Sequence, residues 1–318
     1  MRLFKRLLSA LRNGLLLSGS FLLFACQPAA EPPLRVGTNV WPGYEALYLA
    51  RELGFYPDNT VALKELSSNT EVLRAFRQAQ LDIAALTLDE TLRMSEQVDD
   101  LHILIVTNIS EGADKIISQP GIDQIMELKG KRIAVEENSV GIYLLYQALQ
   151  TVQLNFDDVV LLPSTVNQHL QLMQSQRAHA VVTFDPTAYQ LEQLGFNTLF
   201  DSKQIDNKIV DVLVCRKSLL TERPQAIREL LAAYWQAQEV LVNSPQQAYP
   251  LIAKRLGVKA SALPGIYQNL ILPGQSLNAR LISEDLPAII DETGQFLIKQ
   301  GLITNPPAAQ ALLGEQAL

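Results

Sequence analysis

Arg35-Val36-Gly37-Thr38-Asn39-Val40-Trp41-Pro42-Gly43-Tyr44-Glu45 is where an apolar run gives way to an aromatic loop and then to a helix. Residues 35–39 have the composition of a strand, and Pro42 supplies a fixed φ where a helix can begin. The spacing of Leu47, Ala50 and Leu53 predicts a helix over 44–53, ended by Gly54 in a left-handed cap. Trp41 and Tyr44 therefore stand at a strand-to-helix junction. In open α/β sheets ligands bind at that junction, outside the carboxyl ends of the strands. The loop reads as the floor of a ligand cleft, with Asn39, Trp41 and Tyr44 as candidate contacts; the competing reading packs Trp41 into the core.

Working outward, strand-like and helix-like segments alternate. Strands are expected over 61–66, 81–87 and 101–108, with a short helix over 89–97. A second helix opens at the capping box Ser68-Asn69-Thr70-Glu71 and shows an apolar face of Val72, Leu73 and Phe76. Alternation of this kind means βαβ units and a mainly parallel sheet. Asn69 at the helix start, Thr87 and Asp89 at the end of the third strand, and Asn108 at the end of the fourth join the candidate list.

Residues 110–114 break the pattern, which then restarts. Leu128-Lys129-Gly130-Lys131-Arg132 leads into a strand over 133–135, a turn over 136–139 containing Glu137 and Ser139, and a helix over 140–152 that begins near Gly141. A strand over 159–162, a helix over 166–176 and a strand over 178–183 complete a second βαβαβ unit. Its last strand, Ala178-His179-Ala180-Val181-Val182-Thr183-Phe184-Asp185, parallels Asp82-Ile83-Ala84-Ala85-Leu86-Thr87-Leu88-Asp89 in the first unit. If the halves face each other, Thr87 with Asp89 and Thr183 with Asp185 line opposite walls of one cleft; chance likeness between two buried parallel strands is the alternative.

A strand is expected over 208–215, and helices over 224–242, 245–256, 260–270 and 281–300. No strand pattern returns in this tail, which is expected to pack on one existing lobe. The chain then crosses between lobes near 111–115 and again near 207–211, the usual form of a hinge. The domain reading is 34–112 with 210–318 for lobe 1 and 113–209 for lobe 2.

Ahead of them, Arg2, Lys5, Arg6 and Arg12 precede an apolar stretch over 15–25 that is too short to span a bilayer comfortably. Residues 1–25 read as a lipoprotein signal peptide, because Leu23-Phe24-Ala25-Cys26 resembles the bacterial lipobox, in which Cys26 becomes the lipidated first residue. Residues 26–33, rich in Pro and Ala, read as a tether. The expected location is exported, periplasmic or at the cell surface, with the membrane engaged through the lipid anchor only.

Without its signal the chain keeps 22 basic against 33 acidic residues, a formal charge of −11. Such a surface suits neither nucleic acid nor anionic lipid. Only Cys215 follows Cys26, so burial rather than a disulfide must stabilise the body. His102, His169 and His179 show no metal-binding spacing, and neither metal nor cofactor is expected.

Two motifs carry a family resemblance. Asn39-Val40-Trp41-Pro42-Gly43-Tyr44-Glu45 with Leu47-Tyr48-Leu49-Ala50-Arg51-Glu52-Leu53-Gly54-Phe55 closely resembles the opening of the nitrate/taurine-type (NitT/TauT, SsuA/THI5-like) solute-binding lipoproteins of ABC importers. Leu128-Lys129-Gly130-Lys131-Arg132-Ile133-Ala134-Val135 and the following small-residue turn resemble that family's entry to the second lobe. The likeness spans residues 34 to about 301. It implies an α/β fold of periplasmic-binding-protein-like type II, two βαβ lobes joined by two crossovers, and a ligand between them. It also implies a monomer that docks on an ABC permease with its ATPase. By the same resemblance Trp41 and Tyr44 match the cleft loop, Asn69 the start of the second helix, Thr87 the third strand's end, and Ser139 with Gly141 a turn whose free N–H groups can hold a polar or anionic group. An ordinary N-cap is the competing reading of that turn.

The charges depart from an anion binder. Asp89, Glu111, Asp114, Glu136, Glu137, Asp185 and Asp211 surround the expected cleft, and Lys115 is the nearest base in sequence. A buried carboxylate needs a cationic or N–H-rich partner. An amine or an N-heterocycle, such as a thiamine-precursor pyrimidine stacked on Trp41 or Tyr44, is therefore favoured over a sulfonate or nitrate. Glu136 and Asp211, taken singly, are expected to face solvent. A ligand-sensing lipoprotein serving a membrane sensor kinase is the alternative role. An enzyme is not expected: the chain has no GxSxG elbow and lacks the Cys-rich motif of the pyrimidine-precursor synthases that share this fold.

Overall fold

The computed structural model describes residues 31–57, 59–205 and 208–314. Cys26 and residues 1–25, expected to be a signal peptide, lie outside them. The elements below all belong to the compact unit that begins at Pro33.

The first half builds β1 (Leu34–Thr38), a 3₁₀ turn (Pro42–Tyr44), α1 (Glu45–Glu52), β2 (Val61–Glu65), α2 (Asn69–Arg77), β3 (Ile83–Thr87), α3 (Leu88–Met94) and β4 (Leu101–Ser110). Local chemistry sets the junctions. Gly54 takes φ 69°, and the Phe55 N–H donates to the Ala50 carbonyl at 2.9 Å, closing α1 as its sequence predicts. Ser68 caps α2 by accepting from the Glu71 N–H, whereas Glu71 turns back to the Ser67 N–H and hydroxyl rather than to Ser68.

The second βαβ series comprises β5 (Asp114–Ser118), β6 (Arg132–Val135), α4 (Val140–Gln150), β7 (Val160–Pro163), α5 (Val166–Gln174), β8 (Ala180–Phe184), α6 (Thr187–Gln193) and β9 (Asn197–Asp201). The chain returns through β10 (Ile209–Arg216), α7 (Lys217–Glu222), α8 (Pro224–Asn243), α9 (Pro245–Leu256), α10 (Leu263–Tyr267), β11 (Leu270–Ile271), α11 (Gln275–Arg280), α12 (Leu286–Lys299) and α13 (Ala309–Leu313).

The strands form two sheets, ordered β11-β4-β10-β3-β1-β2 and β7-β6-β8-β5-β9. In each, three parallel strands (β2-β1-β3 and β7-β6-β8) are followed by an antiparallel strand that has just crossed from the other sheet, β10 beside β3 and β5 beside β8. The internal repeat is thus architectural. It places Asp211 of β10 opposite Thr87, and Asp114 of β5 opposite Phe184.

Three sequence expectations are corrected. The readings leave 114–118 and 197–201 without strands; β5 is in fact fully buried between β8 and β9, and the charged pair Asp114-Lys115 at its start hides its apolar pattern. The tail does return a strand, because two residues of β11 pair with Ser110 and Ile109 of β4. Nor does the tail stay on one lobe. Its α8 and α9 join the core around α1, while Phe296 of α12 meets Tyr143 at 4.8 Å and Tyr146 at 5.2 Å, both on α4 of the second series. Among the described residues no helix is long and apolar enough to cross a membrane.

Candidate functional site

The carboxyl ends of β1, β3 and β8 and the amino ends of the crossing strands β5 and β10 converge on a narrow slot with a cavity volume of about 10 Å³. That is below the roughly 300–1,000 Å³ of typical small-molecule sites, so the two halves stand close together over it. From the first half come Asn39, Trp41, Tyr44, Asn69, Thr87 and Asp211; from the second, Asp114, Val140 and Phe184. Trp41 meets Phe184 edge to face, with centroids 5.3 Å apart. This contact joins the aromatic loop to the opposite wall.

Carboxylates dominate the polar lining. The Tyr44 hydroxyl donates to Asp211 Oδ1 at 2.5 Å. With its carboxamide turned to satisfy all its neighbours, Asn108 donates to Asp211 Oδ2 at 3.0 Å and accepts from Trp41 Nε1 at 3.3 Å. Asp114 faces this pair with Oδ2 buried and without a hydrogen-bond partner, as is the Thr183 hydroxyl. Burial raises Asp114 to about 7, and the neighbouring Asp89 and Asp185 charges push the same way. Burial also holds Asp211 well above the ordinary carboxylate range against the Tyr44 hydrogen bond, and with the charge of Asp211 it lifts the Tyr44 phenol far above its usual value.

Two further acids bind across the cleft. Glu136, in the turn after β6, accepts from the Thr70 N–H at the start of α2 at 2.6 Å. Glu90 of α3 accepts from the Val140 N–H at the start of α4 at 3.2 Å and from Asn69 Nδ2 at 2.8 Å. Burial, then the charge of Asp89, raises Glu90 to about 7.

Five candidates from the sequence, Asn39, Trp41, Tyr44, Asn69 and Thr87, line the slot together, and Asn108 braces Trp41 from behind. The others stand apart from the lining. Asp89 accepts from the Thr87 hydroxyl and pairs with Arg93 at 2.8 Å. Asp185 Oδ1 accepts from the Tyr189 N–H of the following helix α6, and burial raises its carboxyl to about 6. Ser139 caps α4 through the Gly141 N–H, and Glu137 is exposed. Lys115 is committed to Glu192 at 2.7 Å.

The solvent-facing expectation for Glu136 and Asp211 is overturned: they are 4% and 2% exposed. Each is partnered by donors distant in sequence, which single-residue reasoning does not see. Glu90 is also absent from the candidates, while Val140 and Phe184 lie within the stretches Ser139-Val140-Gly141 and Thr183-Phe184-Asp185 expected to form the opposite wall. The Thr-x-Asp repeat runs through Phe184 and was the available signal for it, while Glu90 reads locally as the N3 member of a capping box with Thr87.

The profile of the family described as NMT1/THI5 like matches residues 41–248, more than half of the chain. A Brucella abortus (strain 2308) protein, named as a candidate binding protein, is 26% identical over 167 residues, 50% of this chain and 51% of its own. The chain thus spans about half the length of the curated relatives it matches. The alkanesulfonate-binding protein SsuA from Xanthomonas axonopodis pv. citri, solved with MOPS, aligns with TM-score 0.75 at 18% identity, covering 89% of this chain and 99% of that one. The desulfurization enzyme DSZB aligns with TM-score 0.66 at 18% identity over 89% and 96%. At these identities the structures establish a shared fold of two sheets and flanking helices.

Proposed function

We propose that this chain, which belongs to the NMT1/THI5-like family, is the extracytoplasmic solute-binding component of an ABC importer and closes two lobes over a small nitrogen-containing solute. The ligand class is an amine or a flat N-heterocycle of the thiamine-precursor kind. One observation carries it: the slot pairs the Trp41–Phe184 aromatic wall with a buried Asp114 oxygen that has no donor. A buried acceptor in that state gains most from a ligand N–H, and more from a cationic one. Trp41 supplies a face for the ligand's ring or cation.

Binding rather than chemistry is the reading that the family match and the likeness to a solved binding protein support. Cys215, the cysteine of the described residues, is buried in β10 with its thiol pushed up to about 12, unlike a reactive thiolate. The lobes are read as 34–112 with 210–318 and as 113–209, exported and held at a membrane by lipidated Cys26. The permease and its ATPase are the intended partners. A role for a membrane sensor kinase uses the same closure, and neighbouring permease and ATPase genes discriminate between the two.

A thermal-shift panel tests the ligand class, using small amines, pyrimidines, taurine, alkanesulfonates and nitrate. Stabilisation growing as RT ln(1 + [L]/Kd) with amines or pyrimidines is expected. A clear shift with sulfonates and none with nitrogen compounds would overturn it.

A further inference from the structure

The start of a helix carries free N–H groups and the positive end of the helix dipole, and it attracts anions. Two helices, α2 and α4, begin at the cleft from opposite halves, and each start is already occupied. Glu136 of the second half accepts from Thr70 on α2, and Glu90 of the first half accepts from Val140 on α4. The exchange is reciprocal, and both carboxylates are buried, at 4% and 1% exposure. Glu136 Oε2 and Asn69 Oδ1 lie beside these contacts as buried oxygens without donors. An incoming sulfonate or phosphate would meet acceptors where an anion site needs donors.

We infer that Glu136 and Glu90 determine the specificity of this cleft: by filling each other's helix starts they exclude anionic solutes and leave the donor-poor slot to cationic or neutral N–H compounds. The inference deepens the proposed solute-binding role and rests on the slot being the ligand site. Of the two residues Glu136 is the sharper probe. Its side-chain carboxylate accepts across the cleft from Thr70, whereas Glu90 also holds the Thr87 N–H within its own half. Glu136→Ala frees the start of α2, and Glu136→Gln removes the charge while keeping an oxygen that accepts from Thr70.

The test measures thermal stabilisation of the full chain by ethanesulfonate and propanesulfonate, which carry no nitrogen, alongside an arm of pyrimidines and small amines. No sulfonate-dependent shift is expected for the native chain or for Glu136→Gln, and a concentration-dependent shift is expected to appear in Glu136→Ala. A merely structural role for Glu136 would lower the melting temperature without creating that dependence. If Glu136→Ala does not fold, Glu90→Ala, which frees the Val140 N–H, is expected to show the same gain at α4. The inference is overturned if sulfonates stabilise the native chain as well as they stabilise the variant, or if no folded variant gains a response. Failure of the nitrogen arm alone would strike the proposed ligand class and leave the sulfonate comparison readable.

Discussion

The Tyr44 hydroxyl donates to Asp211 Oδ1 at 2.5 Å, joining the turn after β1 to a strand that returns from the other sheet. Both residues are 2% exposed, so the carboxylate depends on protein donors rather than on water. Tyr44→Phe removes one of them and leaves Asp211 with Asn108. A loss of roughly 1–3 kcal/mol in unfolding free energy is expected, the cost of stranding a buried acceptor. Urea unfolding measures it, and an unchanged midpoint would mean that the bond contributes nothing.

Asp114 sets a pH dependence. Its folded pKa lies at about 7, raised above the ordinary 3.8 by burial. A group raised on folding contributes stability that is full below its unfolded value and is lost as pH rises through the folded one. Ligand-free stability should therefore decline between about pH 4 and pH 7, and Asp185 and Glu90, raised to about 6 and about 7, add to the same slope. Asp114→Asn should flatten the profile partly, by on the order of a few kcal/mol across the window. Affinity for a cationic ligand runs the opposite way, tightening by up to about tenfold per unit as Asp114 ionises. Melting curves and titration calorimetry across that range check both slopes.

Trp41 carries two duties, since it belongs to the largest core cluster and also lines the slot. Trp41→Ala should weaken ligand binding by roughly 0.5–2 kcal/mol beyond its cost to folding, the range for a cation or ring on an indole face. Calorimetric affinity measured on the folded fraction separates the two effects. Unchanged affinity would make Trp41 core alone.

Much of this site was legible because its residues lie at the ends of strands whose apolar runs are continuous. Thr38 to Tyr44 and Asp82 to Asp89 announce themselves by that pattern, and the Thr-x-Asp repeat exposed the twofold build of the molecule. What stayed hidden lies on the crossing strands. Asp114 and Asp211 read as two of the acids around the expected cleft, with Asp211 facing solvent, and only pairing of β5 with β8 and β10 with β3 fixes both in the lining of the slot. Register between segments this distant in sequence is set by tertiary packing, not by local propensity. The cross-cleft bonds of Glu136 and Glu90 were hidden for the same reason: each is satisfied by a backbone N–H whose position depends on how the halves meet.

Gly43 offers a last test, of how closely the aromatic loop fits the acids behind it. A Cβ at this position would overlap the Asn108 carboxamide and Trp41 Nε1, nearer than real carbon contacts allow. The indole is rigid, and the Asn108 carboxamide holds Asp211, so neither yields without disturbing the slot. Gly43→Ala should therefore cost on the order of 1–3 kcal/mol of stability by overpacking and weaken ligand binding at the same time. A variant that binds normally while losing stability would show that Trp41 and Asn108 shift without consequence, and that their alignment with Asp211 does not govern recognition. Urea unfolding and calorimetry on the same preparation separate these outcomes.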